Sequence, residues 1–111
     1  MQTTFAIPAY PKPLKVKQAD GSWLTIQMRG DEHGHYALTS DGIPLVFNAR
    51  QKNYEYADWK DGKVQASGIM AVEASERTAK VKAFVESQDK SAILESFKRA
   101  RLQQLQQVFS A

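Results

Sequence analysis

With 111 residues, 42% of them hydrophobic and 24% charged, the chain has the size and balance of one ordinary globular domain with a modest core. Fifteen Lys and Arg against twelve Asp and Glu leave a net charge of +3, too small and too scattered to suggest a nucleic-acid surface. Cysteine is absent, which excludes disulfides and thiolate zinc sites, and no apolar run approaches the roughly 18 residues of a membrane span.

The chain opens on Met1–Ala6, which lacks the basic and apolar regions of a signal peptide. Residues 5–13 (FAIPAYPKP) hold three of the four prolines. Each removes an amide donor and favours extended geometry at the residue before it. The segment therefore reads as an extended lead-in that sets Phe5, Ile7 and Tyr10 onto the domain, rather than as a ligand for an aromatic groove.

From Leu14 to Gln18 apolar and basic residues alternate, and from Trp23 to Arg29 Leu24, Ile26 and Met28 alternate with Trp23, Thr25 and Gln27. Period two is the mark of a half-buried strand. Between these segments stands Asp20-Gly21, and the same pair returns at Asp41-Gly42 and Asp61-Gly62. Asp-Gly between apolar segments is a strong hairpin signal, because both positions of a tight turn must accept positive φ. The stretch Arg29–Asn48 organises the rest. A charged corner, Arg29-Gly30-Asp31-Glu32, runs into a strand with His35, Tyr36 and Leu38, turns at Asp41-Gly42, and leaves through Pro44, Leu45, Val46 and Phe47. Pro44 suits the start of a strand or an edge. After a polar connection, Tyr54–Trp59 and Val64–Val72 complete about six strands.

The period then lengthens. Ser75 is the expected N-cap, with Glu76 in the first turn and Val81, Phe84 and Val85 at helical spacing. After a break near Ser87-Gln88-Asp89 a second helix starts around Ser91. Its stripes, Ile93/Phe97/Ala100 and Leu94/Leu105/Val108, drift around Lys98, Arg99 and Arg101, so it is expected to dock through its first half only. The expected fold class is α+β, an antiparallel meander of about six strands followed by one or two C-terminal helices.

Asp31-Glu32-His33-Gly34-His35 invites a metal reading, but a zinc protease helix needs histidines four apart with Glu directly after the first. His33 and His35 are two apart, Glu32 precedes them, and no third ligand is evident. Two histidines at a turn is the simpler account, and no metal or cofactor is expected. Of the candidate acid–base carboxylates Asp31, Asp41, Asp58 and Asp61, the Asp-Gly members are already explained as turn residues, which leaves Asp31 and Glu32. Nucleophile signatures and phosphate-cradling loops are absent, so no catalytic residue is expected. Tyr36, Tyr54, Tyr56 and Trp59 are candidates for an aromatic contact face, with Tyr54, Tyr56 and Trp59 as its centre, against the plainer reading as core and cross-strand pairs. Arg99 and Arg101 read as a solvated helix face, or as a processing site if the end is frayed.

The order Ile7-Pro8-Ala9-Tyr10-Pro11, Gln18-Ala19-Asp20-Gly21-Ser22, Arg29-Gly30-Asp31-Glu32, Thr39-Ser40-Asp41-Gly42-Ile43-Pro44, Tyr54-Glu55-Tyr56-Ala57 resembles the start of secreted zinc metalloproteases related to immune inhibitor A, in their Bacteroidetes-type versions. The resemblance spans about residues 7–85. It departs at His33-Gly34-His35, where that family shows bulkier aromatics, and at Ile43-Pro44 after the turn. It implies a non-catalytic propeptide domain, secreted or held in the periplasm or at the cell surface after signal-peptide removal. That domain would be a monomer whose partner is the downstream catalytic domain. It further implies a lead-in at 1–13, the β-rich domain at 14–88 and a C-terminal helix or linker at 89–111. Partner contacts would come from Asp31, Glu32, His33, His35, Tyr54, Tyr56 and Trp59. The alternative is a stand-alone extracellular β module that binds sugar or protein through the aromatic face.

Overall fold

The computed structural model describes residues 12–31 and 34–109. The expectations for Phe5, Ile7 and Tyr10 and for Glu32 and His33 fall outside them. The fold is α+β. Six antiparallel strands, β1 (Leu14–Lys17), β2 (Trp23–Asp31), β3 (Gly34–Thr39), β4 (Pro44–Asn48), β5 (Asn53–Lys60) and β6 (Lys63–Met70), lie in one sheet in sequence order. After a single 3-10 turn, Ala74–Glu76, come α1 (Ala79–Ser87) and α2 (Lys90–Phe109).

Three hairpins carry the Asp-Gly pairs, but only one uses them as the sequence suggests. At Asp61-Gly62 both residues have positive φ, +53° and +73°, giving the two-residue turn between Lys60 and Lys63. The other two share a different design. The Gln18 amide donates to Ser22 O and the Gly21 amide to Gln18 O; Thr39 to Ile43 O and Gly42 to Thr39 O repeat the pattern. These are three-residue loops in which only the glycine is left-handed. Asp20 and Asp41 keep ordinary backbones and use their carboxylates for other bonds. Between β4 and β5, Asn48 Oδ1 accepts the Arg50 and Gln51 amides, and Lys52 takes the left-handed position (φ +60°).

The register sorts the side chains onto two faces. Leu14 opposes Ile26, Val16 opposes Leu24, Met28 opposes Ala37, Ala37 opposes Leu45, and Leu45 opposes Tyr56. These residues form the front face, where Leu24, Ile26, Ala37, Leu45, Tyr56 and Ala71 make the main core with Val85 of α1. Tyr36 and Leu38 alternate with Ala37 and so belong to the back face, where Tyr36 stacks on Phe97 of α2 (centroids 5.2 Å apart). Ile93 of the same helix is wholly buried, and α2 packs against β3, β4, β5 and β6.

The helix starts differ from expectation. Thr78 caps α1, accepting the Val81 amide, whereas Ser75 lies in the 3-10 turn. The nearer hydroxyl wins because the chain from Ala71 to Arg77 is tied to the sheet. Asp89 accepts the Ala92 amide at the start of α2. That helix continues to Phe109, so Arg99 and Arg101 lie within its span.

Candidate functional site

Two features of the sheet were not local in the sequence. The first is a strap. After β6 the chain from Ala71 to Arg77 crosses the sheet and bonds to it through Ala71, Val72, Glu73 and Arg77. The Gln18 side chain, 4% exposed, donates to Ala71 O (3.1 Å) and Tyr54 O (3.3 Å), while its oxygen accepts the Tyr54 amide (3.0 Å). Tyr56 is wholly buried, and its hydroxyl bonds the backbone of Val72 as donor to O and acceptor from N. The Glu73 carboxylate accepts the Thr25 amide and hydroxyl. Arg77 closes the strap with two bonds to Asp41, 2.7 and 2.8 Å, and one from Nε to Tyr56 Oη.

Asp41 also accepts the Thr39 hydroxyl at 2.6 Å. The Arg77 guanidinium, and then the Thr39 hydroxyl, hold the Asp41 carboxyl far below the usual carboxylate range, while partial burial opposes them. The bond to Asp41 likewise raises Arg77, whose side chain is 7% exposed. At Asp20 the Ser22 hydroxyl and amide lower the carboxyl in the same direction.

A buried carboxylate, Glu55, shapes β6. The register passes from Glu55↔Met70 to Ala57↔Ala66, so β6 takes four residues where β5 takes two. Glu55 accepts the Gly68 amide (2.9 Å) and the Asn48 side-chain amide (3.0 Å), and Gly68 bulges out at φ +85°.

The second feature is a groove. β3 and β4 pair only at Ala37↔Leu45 and Leu38↔Pro44, although β2 pairs β3 back to Gly34 and β4 pairs β5 on to Asn48. The strands therefore part beyond these two pairs. A cavity of about 240 Å³ opens in the seam, lined by Met28, His35, Tyr36, Leu45, Phe47, Tyr54 and Phe97, with Ala37 at its end. Phe47 and Tyr54 meet edge to face (5.1 Å) on one wall, and Tyr36 with Phe97 forms the other aromatic pair. Phe47 remains 51% exposed.

The residues singled out from the sequence disperse. His35, which is exposed, and Tyr54 come together at this groove. Tyr56 does not join them at a surface, being buried under the strap, and Trp59 alternates onto the opposite face, its amide bonded to Gln88. The three aromatics thus do not form one platform. Asp31 ends β2 opposite Gly34, at the tip of the β2–β3 ribbon whose other residues line the groove. Phe47 and Phe97 escaped notice because each looks like an ordinary core residue in its own element. Among the described residues no three His, Cys, Asp or Glu cluster as a metal site, and no helix is long and apolar enough to cross a membrane.

No family model, curated protein or solved structure matches this chain.

Proposed function

We propose that the domain is the non-catalytic pro-domain of a secreted zinc metalloprotease of the immune inhibitor A type, acting on its own catalytic domain as a folding aid or inhibitor. The observation that carries this reading is where the resemblance motifs fall in space. Gln18 of the Gln-Ala-Asp-Gly-Ser motif bonds both backbone groups of Tyr54 in the last, and Asp41 of the Thr-Ser-Asp-Gly motif reaches Tyr56 through Arg77. Segments that look like short independent hairpins are thus mutually bonded parts of one framework. Their mutual bonding supports reading them together as one signature. The carboxylates that could otherwise suggest catalysis hold backbone or cations in place: Asp20, Asp41, Glu55 and Glu73 are all so engaged.

The acidic corner is the contact proposed for the zinc side of the partner, since Asp31 ends β2 where that strand meets β3 and a thiolate switch needs a cysteine that the chain lacks. The domain, added to the separately purified catalytic domain encoded downstream of it, is expected to slow peptide hydrolysis in proportion to occupancy. Asp31→Asn with Glu32→Gln is expected to weaken that effect. Neither binding nor slowing by the wild-type domain would refute the proposal.

The aromatic groove supports a second reading, an extracellular β module that binds sugar or protein. The reading frame after Ala111 separates the two: an H-E-x-x-H helix within it supports the pro-domain, and repeat modules support the alternative.

A further inference from the structure

We infer that the cavity between β3 and β4 is filled by the chain's own N-terminal segment, with Ile7 as the side chain that enters the seam. The inference holds whatever partner the domain serves. Met28, Ala37, Leu45, Phe47, Tyr54 and Phe97 bring no charge to the walls, and Phe47 keeps half its surface in solvent beside them. Walls of this kind admit any apolar group; three observations at the start of the chain name this one. The first is direction. β1 enters the sheet at Leu14, opposite Ile26, and runs antiparallel to β2. Its N-terminal end therefore points to the end of the sheet where β2 carries on to Met28, which faces Ala37, and the groove opens at that same end. The second is reach. From β1 to the seam is a crossing of β2 and β3, about 12 Å at a strand spacing near 4.8 Å. Ile7 stands five residues before Lys12, the first described residue, and five residues in extended proline-type geometry span about 15 Å. The third is composition. Residues 1–11 (MQTTFAIPAYP) contain no charged side chain although 24% of the chain is charged, and only Ala and Pro separate Phe5, Ile7 and Tyr10. Such a stretch gains free energy by leaving water, and an apolar cavity lies within its reach. Pro8 and Pro11 hold their φ near −65° before docking, so less chain entropy is lost on the way in. A short tether also presents the segment to its site at an effective concentration of about millimolar, an advantage that a separate molecule lacks.

The test is a double-mutant cycle on the full chain, read as melting temperature, with Ile7→Ser, Phe47→Ser and the pair combined. Trp23, similarly exposed but paired with Lys17 at the other end of β1, supplies the control through Trp23→Ser. Ile7→Ser and Phe47→Ser are each expected to lower Tm by about 4 °C or more. Their combination is expected to fall clearly short of the sum, because either change alone already empties the seam, whereas Ile7→Ser and Trp23→Ser are expected to add. An unchanged Tm in Ile7→Ser, or simple additivity with Phe47→Ser, overturns the inference. Should Phe47→Ser fail to fold, the wild-type chain decides: nuclear Overhauser contacts are expected between the Ile7 methyl groups and the rings of Phe47 and Tyr54. Their absence overturns the inference. So does their appearance between differently labelled chains in a mixed sample, which assigns the groove to the leader of a second copy.

Discussion

Asp41 shows how much a turn residue can carry. Its place before Gly42 is accounted for by hairpin geometry, but its carboxylate also holds Thr39 and the guanidinium of Arg77. A bond to a charged group contributes on the order of 1.5–3 kcal/mol. With the Asp41 side chain 45% exposed, solvent screening brings the expected loss in Asp41→Asn to about 1 kcal/mol. The folded-state pKa is depressed, so this contribution is complete above the unfolded carboxyl value near 4 and fades as pH falls towards the lower folded value. Urea midpoints for wild type and Asp41→Asn should therefore differ at pH 6 and converge as the pH is lowered to about 2. A constant gap across that range would remove Asp41 from the account.

Among the elements, the meander and its hairpins were legible in the sequence because alternation and Asp-Gly pairs are local signals. The turn types were less so: whether an Asp adopts positive φ depends on loop length, and one extra residue at Gln18–Ser22 and Thr39–Ile43 shifts the burden to glycine. The cap of α1 was misassigned between two hydroxyls three residues apart, because the strap that decides between them is a tertiary feature. The groove had no local sign at all, since it arises where two strands cease to pair. Phe97 was legible as part of a docking stripe of α2 but not as a wall of the seam, where it stacks on Tyr36 from behind. Phe97→Ala is expected to lower unfolding free energy by roughly 2–4 kcal/mol, towards the low end of large-to-small core changes because the ring is only half buried. Amide exchange should quicken first at Tyr36 and Phe47. Unchanged stability would mean α2 is held elsewhere.

For the molecule as a whole, consecutive strands that pair in sequence order keep most contacts short in chain separation, which favours quick folding for a β-rich domain. Closure is the exception. Gln18 joins the exit of β1 to Tyr54 and Ala71, and Asp41 joins the β3–β4 turn to Arg77. Gln18→Glu keeps the shape but puts a carboxylate oxygen where an amide donated to two carbonyls. A loss of about 2–3 kcal/mol is expected near neutral pH, from one bond system broken and buried groups left unpaired. Burial and the two facing carbonyls favour the protonated form of the new acid in the folded state, and protonation restores a donor. The deficit should therefore narrow as the pH falls towards about 4, the unfolded value, and narrow no further below it. A mutant as stable as wild type at pH 7 would show that Gln18 closes nothing.

The strap has a consequence during synthesis. A ribosome delivers Gln18 more than fifty residues before Ala71, the carbonyl it must grasp. All six strands precede the fastener, so until Arg77 itself has emerged from the tunnel the sheet is a ribbon of hairpins still waiting for its latch.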